Sequence, residues 1–307
     1  MSATQTESLH ARAEGFDTLP AEEALAILAA AQVEAAQAVQ HAVPAIARAA
    51  KLAAERLAGG GRLIYAAAGS SGLMALADGL ELPGTYGIAP DRIEILLAGG
   101  AAMLSEMTGG PEDDAQDAAE AVAAARAGKA DCLIALTASG YTPYPMAAVE
   151  AARAAGAATI GISNNRDAPI FDRVDVAICL PTPPEVIAGS TRMGAGTAQK
   201  IALNMFSTMM AVHLGHVHDG FMVNVVADNM KLRGRARGMV MRISGVTEDE
   251  AAKVLQTAGG SVKIASLLAA GAGDLAAAQA LLADHGGRLR PALETLGRTT
   301  APKTGTR

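Results

Sequence analysis

Residues 62–72 read RLIYAAAGSSG. An aliphatic run gives way to small residues and then to Gly69-Ser70-Ser71-Gly72, after which LMALADGLEL has helical character. A strand covered on both faces reads as a continuous apolar run, whereas one with a wet face alternates. RLIYAAA (62–68) therefore predicts a buried strand that ends in a loop opening a helix. Four more β-like runs follow: RIEILLA (92–98), DCLIALTA (131–138), ATIGISN (158–164) and DVAICLP (175–181). Helical segments fall near 72–82, 112–127 and 144–155. This alternation predicts the α/β class, a five-stranded parallel sheet with helices on both faces in three layers.

Helical texture flanks that unit. Residues 20–57 carry Ala, Leu, Val and Glu at helical spacing, and Pro44 divides them in two. A long helical stretch covers 190–214, and another covers about 226–243. Residues 246–296 read as a small bundle of three short helices, the first opened by a Thr247/Glu250 capping box. The expected organisation is an N-terminal helical segment (1–57), a central α/β domain (58–243), the bundle (246–296) and a disordered tail (297–307).

Composition narrows the function. Half of the 307 residues are hydrophobic, but aromatics make up only 3% and Trp is absent, so the core must be built from Ala, Leu, Val, Ile and Met. The net charge of −6, with no basic stripe, argues against nucleic acid. MSATQTESLH lacks the basic-then-apolar pattern of a signal peptide. No uninterrupted apolar stretch reaches the ~20 residues of a membrane span. A cytoplasmic protein is expected. Cys132 and Cys179 sit in apolar runs and read as buried thiols. His213, His216 and His218 straddle Gly215 with no acid or cysteine to complete a ligand set, so no metal is expected.

Three hydroxyl-rich clusters stand where helices begin: Ser70, Ser71 and Gly72; Ser139, Gly140 and Thr142; and Ser190 and Thr191 after Gly189. Free amides at a helix start favour an anion, hydroxyls add donors, and glycine lets the backbone approach closely. Each cluster alone reads more readily as a helix cap, but three in one α/β unit point to a phosphate. No GK[ST] follows the first loop and GxGxxG is missing, so a small phosphorylated metabolite fits better than a nucleotide. Glu81, at a helix end before Pro83, is either an exposed helix residue or an acid/base near the ligand. Glu112 either complements a helix dipole or joins it, and Glu185 precedes the third cluster and is expected to face the same pocket.

GGGRLIYAAAGSSG, DGLELPGTYG, LTASGYTPY and above all EVIAGSTRMGAGTAQKIALNMFST resemble the sugar-isomerase (SIS) domain of the N-acetylmuramic acid 6-phosphate etherases. The likeness runs from about residue 18 to 296, and the glucokinase regulatory protein is similar in outline. The resemblance implies a cofactor-independent lyase of peptidoglycan recycling, a homodimer with its pocket near the subunit interface. It would release D-lactate and N-acetylglucosamine 6-phosphate. It also implies that Glu81 is the acid/base, that Glu112 is a second catalytic carboxylate, and that Ser70, Ser71, Ser139 and Thr142 hold the phosphate. Leu73, Tyr141, Ala101 and Gly194 stand where the family carries charged residues, which leaves a phosphosugar without the lactyl carboxylate open as substrate. A non-catalytic sugar-phosphate sensor and a phosphosugar isomerase are the alternative readings.

Overall fold

The computed structural model describes residues 5–297. They form two compact units. The first runs to Leu80 and from Pro90 to Met210. The second takes in Glu81–Ala89 and the described residues from Ala211 onward.

The first unit opens with α1 (Ala21–Ala38), a 3-10 turn (Val39–Ala42) and α2 (Val43–Ala58). Pro44 lies in the first turn of α2, where its missing N–H has no intrahelical partner to lose. Then come β1 (Leu63–Ala67), α3 (Gly69–Tyr86), β2 (Ile93–Leu97), α4 (Ala115–Ala124), β3 (Cys132–Thr137), α5 (Pro143–Ala154), β4 (Ala158–Ser163), β5 (Val176–Cys179) and α6 (Gly194–His213).

All five strands pair parallel, in the order β2-β1-β3-β4-β5, with Tyr65 in register between Ile95 and Ile134. Ile64, Ala66, Leu133 and Ala135 project from one face onto Ala118 and Val122 of α4 and Ala148, Val149 and Ala152 of α5. On the other side, α2 lies along β1, β3, β4 and β5. Ala49, Ala50 and Ala53 of α2 are fully buried, and their small side chains let the helix close on the sheet. Each fully buried Leu or Ile contributes ~1.5–3 kcal/mol.

The amino ends of β1 and β3 are tied by Asp131. It accepts from the Arg62 amide (2.8 Å), the Arg62 guanidinium (2.9 Å) and the Gly128 amide (3.0 Å). Burial alone would raise the Asp131 carboxyl, but these bonds outweigh it and hold the group below the ordinary range. Farther along, buried Asp78 of α3 accepts from Tyr65 Oη (2.7 Å) and Ser207 Oγ (2.9 Å), joining α3 to β1 and α6.

Strand order fixes where the site lies. β1 has β2 on one side and β3 on the other, so the chain leaves it in both directions. The crevice of such a sheet opens beyond the carboxyl ends of the two strands at that reversal. These ends carry the Gly69–Gly72 and Ser139–Thr142 segments.

The second unit holds a two-stranded hairpin, β6 (Val217–His218) and β7 (Phe221–Met222), then α7 (Met230–Ser244), α8 (Glu248–Thr257), α9 (Val262–Ala269), α10 (Leu275–Asp284) and α11 (Leu289–Thr295). Thr247 and Glu250 form the expected capping box. Met239, Val240, Ala251, Leu267, Ala278 and Leu293 share its core. Four helices follow residue 246 where three were expected. The additional one, α11, contains Pro291, which sits in its first turn and so does not break it. The tail expected over 297–307 lies, beyond Gly297, outside the described residues.

Candidate active site

A cleft of about 280 Å3 opens at the carboxyl ends of β1 and β3. Ser70 and Ser71 line it from the start of α3, and Thr137, Ser139 and Thr142 from the β3–α5 connection. Gly189 and Thr191 contribute from the segment before α6. Two of the hydroxyl clusters thus converge with their helix N-termini on one space, joined by part of the third.

The β3–α5 connection is preorganised. Thr137 Oγ1 stands 2.8 Å from Thr142 Oγ1 and 3.3 Å from Ser139 Oγ, and it accepts from the Gly140 amide at 3.1 Å. Gly140 adopts φ +83, and a Cβ there would collide with Ala168, so only glycine makes this turn. From behind, Asn165 Nδ2 donates to the Ser139 carbonyl at 2.9 Å. The same amide holds the chain start: Thr6 N donates to Asn165 Oδ1 (3.2 Å), and Asn165 Nδ2 donates to Thr6 Oγ1 (3.1 Å).

Glu112 lines the cleft from a 3-10 turn, Gly110–Asp113, that precedes α4. The cap of α4 is instead Asp114, whose Oδ1 accepts from the Asp117 amide at 2.9 Å. Serving the α4 dipole is therefore Asp114's task and not that of Glu112. Burial, then the neighbouring Asp113 charge, raises the Glu112 carboxyl above its ordinary value. Such a group is poised to hold or deliver a proton.

The remaining expected residues lie elsewhere. Gly72 does not line the cleft; the space its Cβ would take is bounded by Leu97 and Met103, which makes it a packing glycine. Gly140 shapes the loop from beneath, and Ser190 is likewise absent from the lining. Glu185 is buried, and its two oxygens accept from the Gly194 amide (2.9 Å) and the Ala195 amide (2.8 Å). It is the anion at the N-terminus of α6. A longer side chain in place of Gly194 would press on that carboxylate, since a Cβ there already stands 3.1 Å from Oε2. Glu81 is exposed, belongs to the second unit and is not among the lining residues.

Sequence reasoning missed Glu7 and Met107, which also line the cleft. No local pattern marks Glu7; it reaches the cleft beside Thr6, whose amide and hydroxyl are bonded to Asn165, 159 positions away. Leu73 and Tyr141 are exposed. Among the described residues no Lys or Arg lines the cleft, so an anion there must be held by amides, hydroxyls and helix dipoles.

A doubly wound sheet with this cleft at its switch point is the frame of a SIS-domain protein, and residues 98–214 match the SIS domain family. The chain is 43% identical to the N-acetylmuramic acid 6-phosphate etherase of Deinococcus radiodurans over 95% of its own length and 97% of that protein's. It is 47% identical to the Symbiobacterium thermophilum etherase, over 77% and 79% of the two chains. With the Mycolicibacterium smegmatis etherase it shares 39% identity over 95% and 98%. The chain belongs to the N-acetylmuramic acid 6-phosphate etherase family.

Proposed function

We propose that the protein is a carbon–oxygen lyase that cleaves the D-lactyl ether of N-acetylmuramic acid 6-phosphate, or of a close phosphosugar analogue. The products are N-acetylglucosamine 6-phosphate and D-lactate. The observation that carries this reading is the pairing, in one cleft, of two hydroxyl-lined helix N-termini with a carboxyl whose pKa is raised by burial. A pure phosphate sensor gains nothing from that carboxyl.

The phosphate sits against Ser70, Ser71, Ser139 and Thr142. The sugar ring opens to its aldehyde, which acidifies the proton on C2. A base removes that proton, and the C3–O bond breaks with its electron pair leaving on lactate. A proton delivered to that oxygen completes the departure. Water then adds across the C2–C3 double bond, its oxygen to C3 and a proton to C2. Glu112, whose raised pKa favours its protonated form, delivers the proton to lactate and then deprotonates the water. Glu81 takes the C2 proton and returns one.

In this scheme Glu81 comes from a second copy of the chain; it is exposed and is not among the residues that line the cleft. Two features support a homodimer. Leu25, Ala29 and Val33 form an exposed stripe on α1 at helical spacing, and Leu73, Leu104, Met107 and Tyr141 are exposed large hydrophobics, with Met107 itself in the cleft lining. The enzyme acts in the cytoplasm, in peptidoglycan recycling; among the described residues no helix is long and apolar enough to cross a membrane.

The test is D-lactate release from N-acetylmuramic acid 6-phosphate, with C2 deuterium exchange followed in heavy water. Glu81→Gln is expected to abolish both. Mixing Glu81→Gln and Glu112→Gln chains should restore about a quarter of wild-type activity by random reassortment of dimers. No lactate from the wild type refutes N-acetylmuramic acid 6-phosphate as the substrate, and no restoration on mixing refutes the role of a partner's glutamate.

A further inference from the structure

A second cleft, of about 410 Å3, lies within the second unit and is separate in its residues from the one above. Its walls are Phe221 and Met222 of the hairpin and Arg235, Gly238, Met239 and Arg242 of α7, with Gly220 at the turn. That volume falls in the range of small-molecule sites.

α7 reads MKLRGRARGMVMRIS, with five cations and no acid. Two of the five are engaged. Arg237 Nε pairs with Glu248 at 3.0 Å, and Arg233 Nη1 donates to the Asp228 carbonyl at 3.4 Å. Arg235 and Arg242, each about one turn from Gly238 on either side, make no ion pair or side-chain hydrogen bond among the described residues. Seven residues apart, they share one helix face at ~10 Å along the axis, close enough for both long side chains to meet over the glycine between them. Asp219, which precedes Gly220 at the turn, is bonded to Arg290, and Glu248, six residues beyond Arg242, is paired with Arg237.

Gly238 is the second observation. It lies in the interior of a helix, where glycine is less favourable than alanine. Nothing stands within 4 Å of where its Cβ would be, so no contact within the chain calls for its absence. The missing side chain leaves a floor open between two uncommitted guanidinium groups and an apolar wall.

We infer that this cleft binds a small organic phosphate. The phosphate is clamped by Arg235 and Arg242 over Gly238, and the apolar or planar part lies against Phe221 and Met222. Guanidinium groups suit this anion because their planar fork donates two parallel hydrogen bonds to phosphate oxygens. The enclosing hairpin wall favours a discrete small molecule over an extended polyanion.

The probe is phenyl phosphate, titrated calorimetrically into the full-length protein beside inorganic phosphate. Phenyl phosphate is expected to bind more tightly than inorganic phosphate. Arg235→Gln with Arg242→Gln should weaken it by roughly tenfold to a hundredfold. Both side chains are exposed, so the fold should hold, and circular dichroism checks this. Gly238→Leu, which keeps both charges and fills the floor, should block binding as well, whereas Gly238→Ala controls for the backbone. Phenyl phosphate binding unchanged in the double variant and in Gly238→Leu overturns the site. Equal affinity for the two phosphates overturns the organic part of the assignment. Lactate release by these variants is expected to match the wild type, which separates this site from the sugar cleft.

Discussion

The Glu112 carboxylate occupies the space a Gly69 side chain would need: a Cβ on Gly69 would stand 2.6 Å from Glu112 Oε1. Gly69 opens α3 at φ +53, so the residue that starts this cleft-lining helix is also the one that admits the Glu112 carboxyl. Gly69→Ala carries a left-handed backbone penalty of ~1–2 kcal/mol. It must also push the carboxylate aside. Displacement of a reacting group by an ångström costs on the order of a hundredfold. Steady-state kinetics should show kcat falling by about that factor, with the melting temperature lowered only modestly. Undiminished kcat would mean that Glu112 is not where the chemistry happens.

Glu112 also sets an expected pH dependence. Burial first, and Asp113 second, raise its pKa, so its protonated form survives to higher pH than that of an ordinary glutamate. As the donor to departing lactate it works below that pKa, and activity declines as pH rises through it. Asp113→Asn removes the like charge and lowers the pKa, so the alkaline limb of the kcat profile should move to lower pH. A limb that stays in place assigns the proton donor to another group.

Glu185 is predicted to matter for stability and not for turnover. Glu185→Ala strands the Gly194 and Ala195 amides in a buried setting, at ~1–3 kcal/mol for each unsatisfied group. Thermal unfolding should shift down accordingly, while kcat measured below the transition stays near that of the wild type. Loss of kcat in a folded Glu185→Gln protein would return this residue to the substrate.

Asn165 links the chain start to the cleft, so its removal should be felt in substrate binding. Asn165→Ala removes both of its bonds to Thr6 and releases the Ser139 carbonyl. The loop then loses its backing, and KM is expected to rise several-fold with a smaller change in kcat. Equal KM values would show that the Thr137–Thr142 hydroxyl network holds the loop unaided.

In the second unit, buried Lys263 donates to the Gly287 carbonyl at 2.9 Å, and burial pushes its pKa down to about 8. Its unfolded value is higher, so the unfolded chain binds more protons between pH 8 and about 10.5, and stability rises with pH across that window. Lys263→Met should abolish this rise and raise stability at pH 7 by roughly 1–2 kcal/mol, the relieved desolvation being offset in part by the lost bond. His216, held down to about 4 by burial and then by Lys263, acts in the opposite range. Its contribution is complete above its ordinary 6.5 and is lost as pH falls through about 4. Denaturant titrations across pH measure both slopes.

The sheet was legible because strands buried on both faces leave a local mark. All five apolar runs became strands, and Gly69-Ser70-Ser71 and Ser139–Thr142 fell at their carboxyl ends. The amidst-helix boundaries were less legible. α6 begins at Gly194 and not near Ser190, because the anion that caps it arrives from Glu185, nine residues earlier. The α11 helix hid behind Pro291, and the Val217–Met222 hairpin is too short to show a period.

Local order along the chain thus determined the class of fold, the strands and the hydroxyl-rich loops that line the cleft, since burial and helix starts depend on neighbouring residues. Which groups share the cleft was decided by tertiary structure alone. Glu7 and Glu112 reach it from segments remote in sequence, and Glu185 is withdrawn from it by two amides that no spacing rule pairs with it. The physical reason is that a carboxylate takes whatever donors or burial the folded chain brings to it, and only the packed sheet and helices fix which those are.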